Sequence, residues 1–274
     1  MLAFYVLLSG LIVGVSVLAH EYGHLVAARR NNLHVTGFSI GFGLPLSTWT
    51  TKKGLPVTLR IIPLGGATKI AKATTSSTET IPEGLIGYID AKPLTRWRVS
   101  AAGSFVNIII AWVAFSALAW TYGQNDTRNI VIVPLAGALI VSLILGLLAH
   151  GIVLAFVGSG DNGGVNSILG LPQMLESGVQ SVGTTHGGVA FYLLTILGLV
   201  NLSLALGNLL PLYPLDGFRA AVALLDWARK WKLKDRFAPL SDEQLKKPAL
   251  ITGGLFMAAT VFVLLRDIGS YLLG

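Results

Sequence analysis

Residues 2–19 contain no charged side chain, and the run leads without a break into His20-Glu21-Tyr22-Gly23-His24. An apolar stretch of this length reads as a helix in a bilayer, where ionisable groups are costly and usually serve a function. On a helix, positions four apart lie on one face, about 6 Å apart along the axis. That is close enough for both imidazoles to hold one zinc ion, with Glu21 beside the metal as general base for an attacking water. The spacing is H-E-x-x-H. It is short enough to occur by chance in soluble helices, so a further ligand elsewhere in the chain decides its meaning.

Composition supports the membrane setting. Of 274 residues, 53% are hydrophobic and only 12% charged, against about 25% charged in a soluble domain. The net charge of +7 would suit nucleic acid, but the Lys and Arg residues flank apolar runs, which fits membrane orientation and leaves no nucleic-acid partner. There is no cysteine, so any metal must be held by His, Asp or Glu. Residues 1–28 resemble a signal peptide only superficially. There is no basic n-region and no A-x-A cleavage site, so 1–30 is expected to be a retained spanning helix closed by Arg29 and Arg30 on the cytoplasmic side.

Residues 31–98 change character. Segments 37–43 and 57–62 alternate apolar with small or polar residues and read as short strands joined around Lys52-Lys53-Gly54. A surface β-ribbon and an edge strand that pairs with an extended substrate fit this pattern equally. Residues 72–80 form a polar linker, and Lys92, Arg96 and Arg98 make the whole loop basic, hence cytoplasmic. A second span is expected over 99–121, its Ala101-Ala102-Gly103-Ser104 permitting close helix packing and Asn107 serving as interhelical glue.

Residues 130–157 are apolar apart from Pro134 and His150, enough for one crossing and too few for two. His150 has the chemistry of a third metal ligand or a proton relay, but a lone histidine in such a run more often bonds a neighbouring carbonyl, which is the expectation here. Residues 158–187 carry no Lys or Arg and so belong outside. A further span over 188–217 ends in Asn208-Leu209-Leu210-Pro211-Leu212-Tyr213-Pro214-Leu215-Asp216-Gly217, where two prolines break the helix. Membranes tolerate such a break only where backbone faces protein or water. Segment 218–247 holds eight Lys or Arg residues and is cytoplasmic, which places Asp216 on the side of His20 and His24. A last span covers 248–265. If the loops on either side of 130–157 both lie outside, that segment does not cross, and a shared metal requires this reading.

Taken in order, several motifs resemble those of the bacterial site-2 proteases, which are intramembrane zinc metalloproteases. They are His20-Glu21-Tyr22-Gly23-His24, Phe38-Ser39-Ile40-Gly41-Phe42-Gly43, Ile62-Pro63-Leu64-Gly65-Gly66, Ala101-Ala102-Gly103, and Asn208-x-x-Pro211 leading to Leu215-Asp216-Gly217. The resemblance covers roughly residues 1–120 and 160–225. It implies an α-helical polytopic membrane protein with about four core transmembrane helices, a re-entrant β-hairpin loop and an extra apolar membrane segment. It makes His20, His24 and Asp216 the ligands of one catalytic Zn2+, with Glu21 as base. Asn208 would help hold substrate, and Gly41, Phe42, Gly43, Leu64 and Gly65 would belong to a β-loop that dips toward the site.

Three departures stand out. Ser104 replaces a family proline, Tyr213 stands where the second proline of the break is expected, and the interval before Asp216 is too short for the PDZ module that many relatives carry. The resemblance further implies single-span membrane substrates, such as anti-sigma factors or signal-peptide remnants, in a bacterial inner membrane with the site toward the cytoplasm. Two other classes compete. A membrane zinc carrier would need polar residues along several spans, and a non-catalytic scaffold would have no use for Glu21.

Overall fold

In the computed structural model, the described residues are 2–72, 81–122, 134–142 and 186–273. Helix α1 (Leu2–Arg30) runs through the first apolar stretch and the H-E-x-x-H motif. It ends where Asn32 adopts φ 56° and the side-chain amide of Asn31 donates to the Ala27 carbonyl at 2.8 Å, satisfying an orphan acceptor of the last turn. Strands β1 (Val35–Thr50) and β2 (Pro56–Ile70) form one antiparallel hairpin. Both are longer than their alternating cores at 37–43 and 57–62. Then follow α2 (Pro93–Tyr122), a helical segment at 134–142, α3 (His186–Leu209), α4 (Asp216–Leu233) and α5 (Asp242–Leu273).

The hairpin is bent. Residues 57–59 pair both with 47–49 and with 38–40, so it curls back on itself, with register shifts between Ile40 and Ser47. Gly41 and Gly43, both at φ 85°, supply the left-handed backbone that the bend requires. The curl lets Phe38, Leu55 and Val57 bury together against Leu25 of α1. Each such side chain contributes roughly 1.5–3 kcal/mol when fully removed from water. Leu33, Ala91 and Val99 close a second cluster on Ala28. The segment before α2 is stitched to the base of the hairpin, Tyr88 N–H donating to the Ala71 carbonyl and Ile89 N–H to that of Lys72, each at 2.8 Å.

Helix α2 begins six residues earlier than the expected span. Pro93 suits a first helical position, and Arg96 can sit inside the helix because its charge is met. Its guanidinium donates to Asp226 of α4 at 2.8 Å, and Asp226, fully buried, also accepts from Arg229 at 2.9 Å and from the Leu240 amide at 3.2 Å.

These parts belong to one compact unit, residues 14–106 and 207–259, while residues 1–13, 107–206 and 260–274 form another. Within the second unit, Phe115, Ala111 and Leu118 of α2 pack with Val141 and Leu202, and Tyr5 of α1 packs with Ile196 of α3. Asn107 is fully buried there, but its amide has no hydrogen-bond partner among the described residues. Among the described residues, the interhelical bond expected of it is not made.

Three helices among the described residues are long and apolar enough to cross a membrane: Ala3–Arg30, Pro93–Trp120 and Val189–Leu209. The expected span 248–265 falls in the middle of α5. Of the 130–157 segment, only 134–142 is among the described residues. Whether it crosses, and the surroundings of His150, lie outside them.

The Arg96–Asp226–Arg229 cluster predicts a stability test. Asp226→Ala leaves a buried guanidinium without its counter-charge, and the expected loss is about 3–5 kcal/mol, read as a lowered unfolding midpoint of the detergent-solubilised protein.

Candidate metal centre

His20 and His24 are 4% and 7% exposed on the inner face of α1. The helix ladder stacks them one turn apart, with their Nε2 atoms 3.2 Å from each other. Asp216, the first residue of α4, places Oδ2 at 2.9 Å from both. The three atoms form the one cluster of three metal-ligating side chains found among the described residues.

The protonation of this cluster follows from its neighbours. His24 Nδ1 lies 2.7 Å from the Val99 carbonyl oxygen, which can only accept. Nδ1 therefore carries the proton, and Nε2 of the neutral ring presents a lone pair. A carboxylate oxygen 2.9 Å away also presents lone pairs, so the arrangement is repulsive unless a cation stands between them. A proton or a metal ion satisfies that condition. Ligands about 2.0–2.1 Å from a tetrahedral zinc ion lie about 3.3 Å apart, and the triangle of 2.9, 2.9 and 3.2 Å needs to open by only a few tenths to match. The donor set fits zinc.

Two glycines make this convergence possible. A Cβ on Gly103 of α2 would lie 2.4 Å from His20 Nε2 and 2.5 Å from His24 Nε2, inside the space of the ligand atoms. A Cβ on Gly217 would lie 2.2 Å from the Leu210 carbonyl oxygen and 2.4 Å from that of Leu209. The chain leaving α3 therefore passes directly over the first turn of α4 and sets where Asp216 points.

Glu21 is held by the hairpin. The Thr68 amide donates to its Oε2 at 2.9 Å, and the Thr68 hydroxyl to its main-chain carbonyl at 2.7 Å. Glu21, His24 and Asp216 share a cavity of about 210 Å³ with Thr68, Tyr88 and Arg219. Tyr88 and Ser100 hydroxyls lie 2.7 Å apart. Burial pushes the Tyr88 phenol up, against the opposing pull of Ser100 and Arg219, so it stays protonated and able to donate at neutral pH.

Sequence reasoning named His20, Glu21, His24 and Asp216, and the structure brings these four together. Asn208 is half-buried in the last turn of α3 and does not line the cavity. Gly41, Phe42, Gly43 and Gly65 sit in the bend of the hairpin, also off the cavity wall, which β2 supplies through Ala67, Thr68 and Ile70; the side chain of Leu64 lies outside the described residues. Thr68, Tyr88 and Arg219 escaped notice. Arg219 stands three residues after Asp216, one turn along a helix, and that spacing was the signal available for it. Tyr88 and Thr68 have no local signal.

The geometry brings two histidines and an aspartate together as a candidate metal centre beside a carboxylate, in a chain with three helices of membrane-spanning length among the described residues. The sequence model of Peptidase family M50 matches residues 9–243, and the chain belongs to that family and is an integral membrane protein. Among similar curated proteins, one from Rickettsia conorii, named "Putative zinc metalloprotease RC0203", is 35% identical over 128 residues, 44% of this chain and 35% of that protein. Metalloprotease MmpA from Caulobacter vibrioides is 30% identical over 158 residues, covering 50% of this chain and 39% of the relative. A protein from Synechocystis sp. named "Putative zinc metalloprotease slr1821" is 28% identical over 149 residues, 54% of this chain and 40% of that protein. The matched region thus spans well under half the length of these relatives.

The glycine contacts predict a metal-binding phenotype without any change of ligand. Gly103→Ala is expected to lower bound metal in the purified protein at least tenfold by elemental analysis. Gly207→Ala, whose Cβ would meet nothing within 4 Å, should leave it unchanged.

Proposed function

We propose that this chain is a zinc endopeptidase that hydrolyses peptide bonds in or near transmembrane segments of other membrane proteins. The reading rests on one observation: two imidazole nitrogens and a carboxylate oxygen converge within 3.2 Å, and two of the three residues, His24 and Asp216, line a cavity with Glu21. His20, His24 and Asp216 are the ligands in this proposal. Three protein ligands leave a fourth position open, as catalytic rather than structural zinc requires. When bound, zinc supplies Lewis acidity and a water acidified toward a pKa of about 7.

The protein's own groups do the rest. Glu21 takes the proton of the attacking water and returns it to the leaving amine. Thr68 fixes one oxygen of that carboxylate, so its orientation does not depend on solvent. Tyr88 and Arg219, on the same wall, are the groups able to donate to the carbonyl oxygen as charge develops. Val99 keeps His24 in the tautomer that presents Nε2 inward.

A helical substrate hides its scissile bonds and must unwind before it can react. In this proposal the hairpin is a re-entrant loop that pairs with the unwound strand. The exposure of Phe42, Leu44, Leu46, Trp49, Ile61 and Ile62 along its outer part supports an apolar setting for it. Asn208 helps hold the strand. The active site faces the cytoplasm of a bacterial inner membrane, on the side of the basic segment 218–247, and α5 supplies a fourth span. The substrates are single-span proteins of the anti-sigma-factor or signal-peptide-remnant type.

Glu21→Gln is expected to keep its zinc and lose at least 100-fold in cleavage of a reconstituted single-span substrate. Undiminished cleavage would remove Glu21 from the mechanism. His24→Ala and Asp216→Ala should instead lose zinc. Zinc binding without cleavage in the wild-type protein, together with zinc flux across vesicles, would identify a carrier.

A further inference from the structure

The start of α2 and the outer face of α4 enclose a groove of about 600 Å³. Lys92 and Leu94 line one side, Trp227, Lys230 and Trp231 the other, with Lys234 at the end, and no acidic side chain is among the described residues that line it. Trp231 is 82% exposed and Trp227 49%, and four-residue spacing stacks the two indoles along one face of α4. The Lys230 ammonium stands 5.9 Å from the centre of the Phe237 ring, which restrains it at the groove.

The gathering of three lysines in one groove makes this cluster stand apart. Lys72 is paired with Asp242, and Arg96 and Arg229 with Asp226. Lys92, Lys230 and Lys234 have no ion-pair partner among the described residues. Three ammonium groups with no acidic partner among the described residues, gathered from positions about 140 residues apart in sequence, suit an anion. The indoles and Leu94 call for something apolar next to it. Leu94 also opens an apolar helix of spanning length, Pro93–Trp120, so the groove lies at the polar end of that helix. Lysine and tryptophan meet lipid headgroups at this depth. A free phosphate would satisfy the lysines and leave both rings in water, whereas a phospholipid covers both.

We propose that this groove binds the headgroup of an anionic phospholipid. The phosphate lies among Lys92, Lys230 and Lys234, and Trp227 and Trp231 pack against the glycerol and upper acyl chains. The site is separate from the metal centre, shares no residue with it, and does not depend on the activity proposed for that centre.

Native mass spectrometry of the detergent-purified protein, titrated with phosphatidylglycerol or phosphatidylcholine, tests the assignment. Wild type is expected to retain phosphatidylglycerol at least tenfold more strongly than phosphatidylcholine. Each lysine near an anionic lipid is worth roughly fivefold. Lys92→Gln, Lys230→Gln and Lys234→Gln combined should therefore weaken retention about 100-fold, with the unfolding midpoint unchanged. Lys52→Gln with Lys53→Gln, at the hairpin turn, should leave retention as it was. Trp227→Ala with Trp231→Ala should weaken it for both lipids. Equal retention of the two lipids by wild type, or unchanged retention in the triple variant, overturns the proposal. Displacement of phosphatidylglycerol by an equal concentration of glycerol phosphate would show a site for phosphate alone, and displacement by a soluble acidic peptide a protein-docking surface. Either outcome would overturn it too.

Discussion

The convergence of two imidazole nitrogens and one carboxylate oxygen depends on backbone approaching closer than any side chain would allow. At Gly103 the α2 backbone lies against both ligand nitrogens, and at Gly217 the chain leaving α3 lies over the first turn of α4. A single methyl group at the first position would occupy the space of the ligands, and at the second it would displace Asp216. Neither residue carries a functional group. Their contribution is the absence of one, and the centre is built around that absence.

Around this point the unit is tied by polar contacts that each serve two elements. Thr68 joins β2 to Glu21 through its amide and its hydroxyl, so the strand that walls the cavity also orients the candidate base. The Val99 carbonyl sets the tautomer of His24 from one turn before Gly103. Asp226 collects Arg96, Arg229 and the Leu240 amide, pinning α4 to the start of α2. Removing a fully buried charge partner costs several kcal/mol, so α4 has little freedom to carry Asp216 away. A buried ion pair is otherwise an inefficient stabiliser. Here it holds a ligand-bearing helix in register.

Much of this was legible in the chain. The apolar run of α1 and the four-residue spacing of its histidines follow from local pattern, as do the break at Pro211 and Pro214 and the strand alternation near residues 37–43 and 57–62. The boundaries were less so. Arg96 and Arg98 read as loop because charges at the start of an apolar helix look misplaced, and only Asp226, 130 residues away, explains why Arg96 is tolerated inside one. The curl of the hairpin was hidden because a two-strand pattern does not reveal that 57–59 also pairs with 38–40. Asn107 was read as a hydrogen-bonding contact between helices, and it is buried without one among the described residues.

By itself, the sequence determined the chemistry available. With no cysteine, two histidines on one helical face and an aspartate at a proline-broken helix end, few other oxygen and nitrogen donors could meet a metal. It also determined the membrane setting, since apolar runs of spanning length leave few other places for the chain. Tertiary structure decided which groups share a cavity, and hence that Thr68, Tyr88 and Arg219 stand beside Glu21 while Asn208 and the bend of the hairpin do not line it. The reason is physical. A ligand's identity and helical face are local properties, encoded within a turn or two. Which backbone passes within 3 Å of it is settled by packing between segments far apart in the chain.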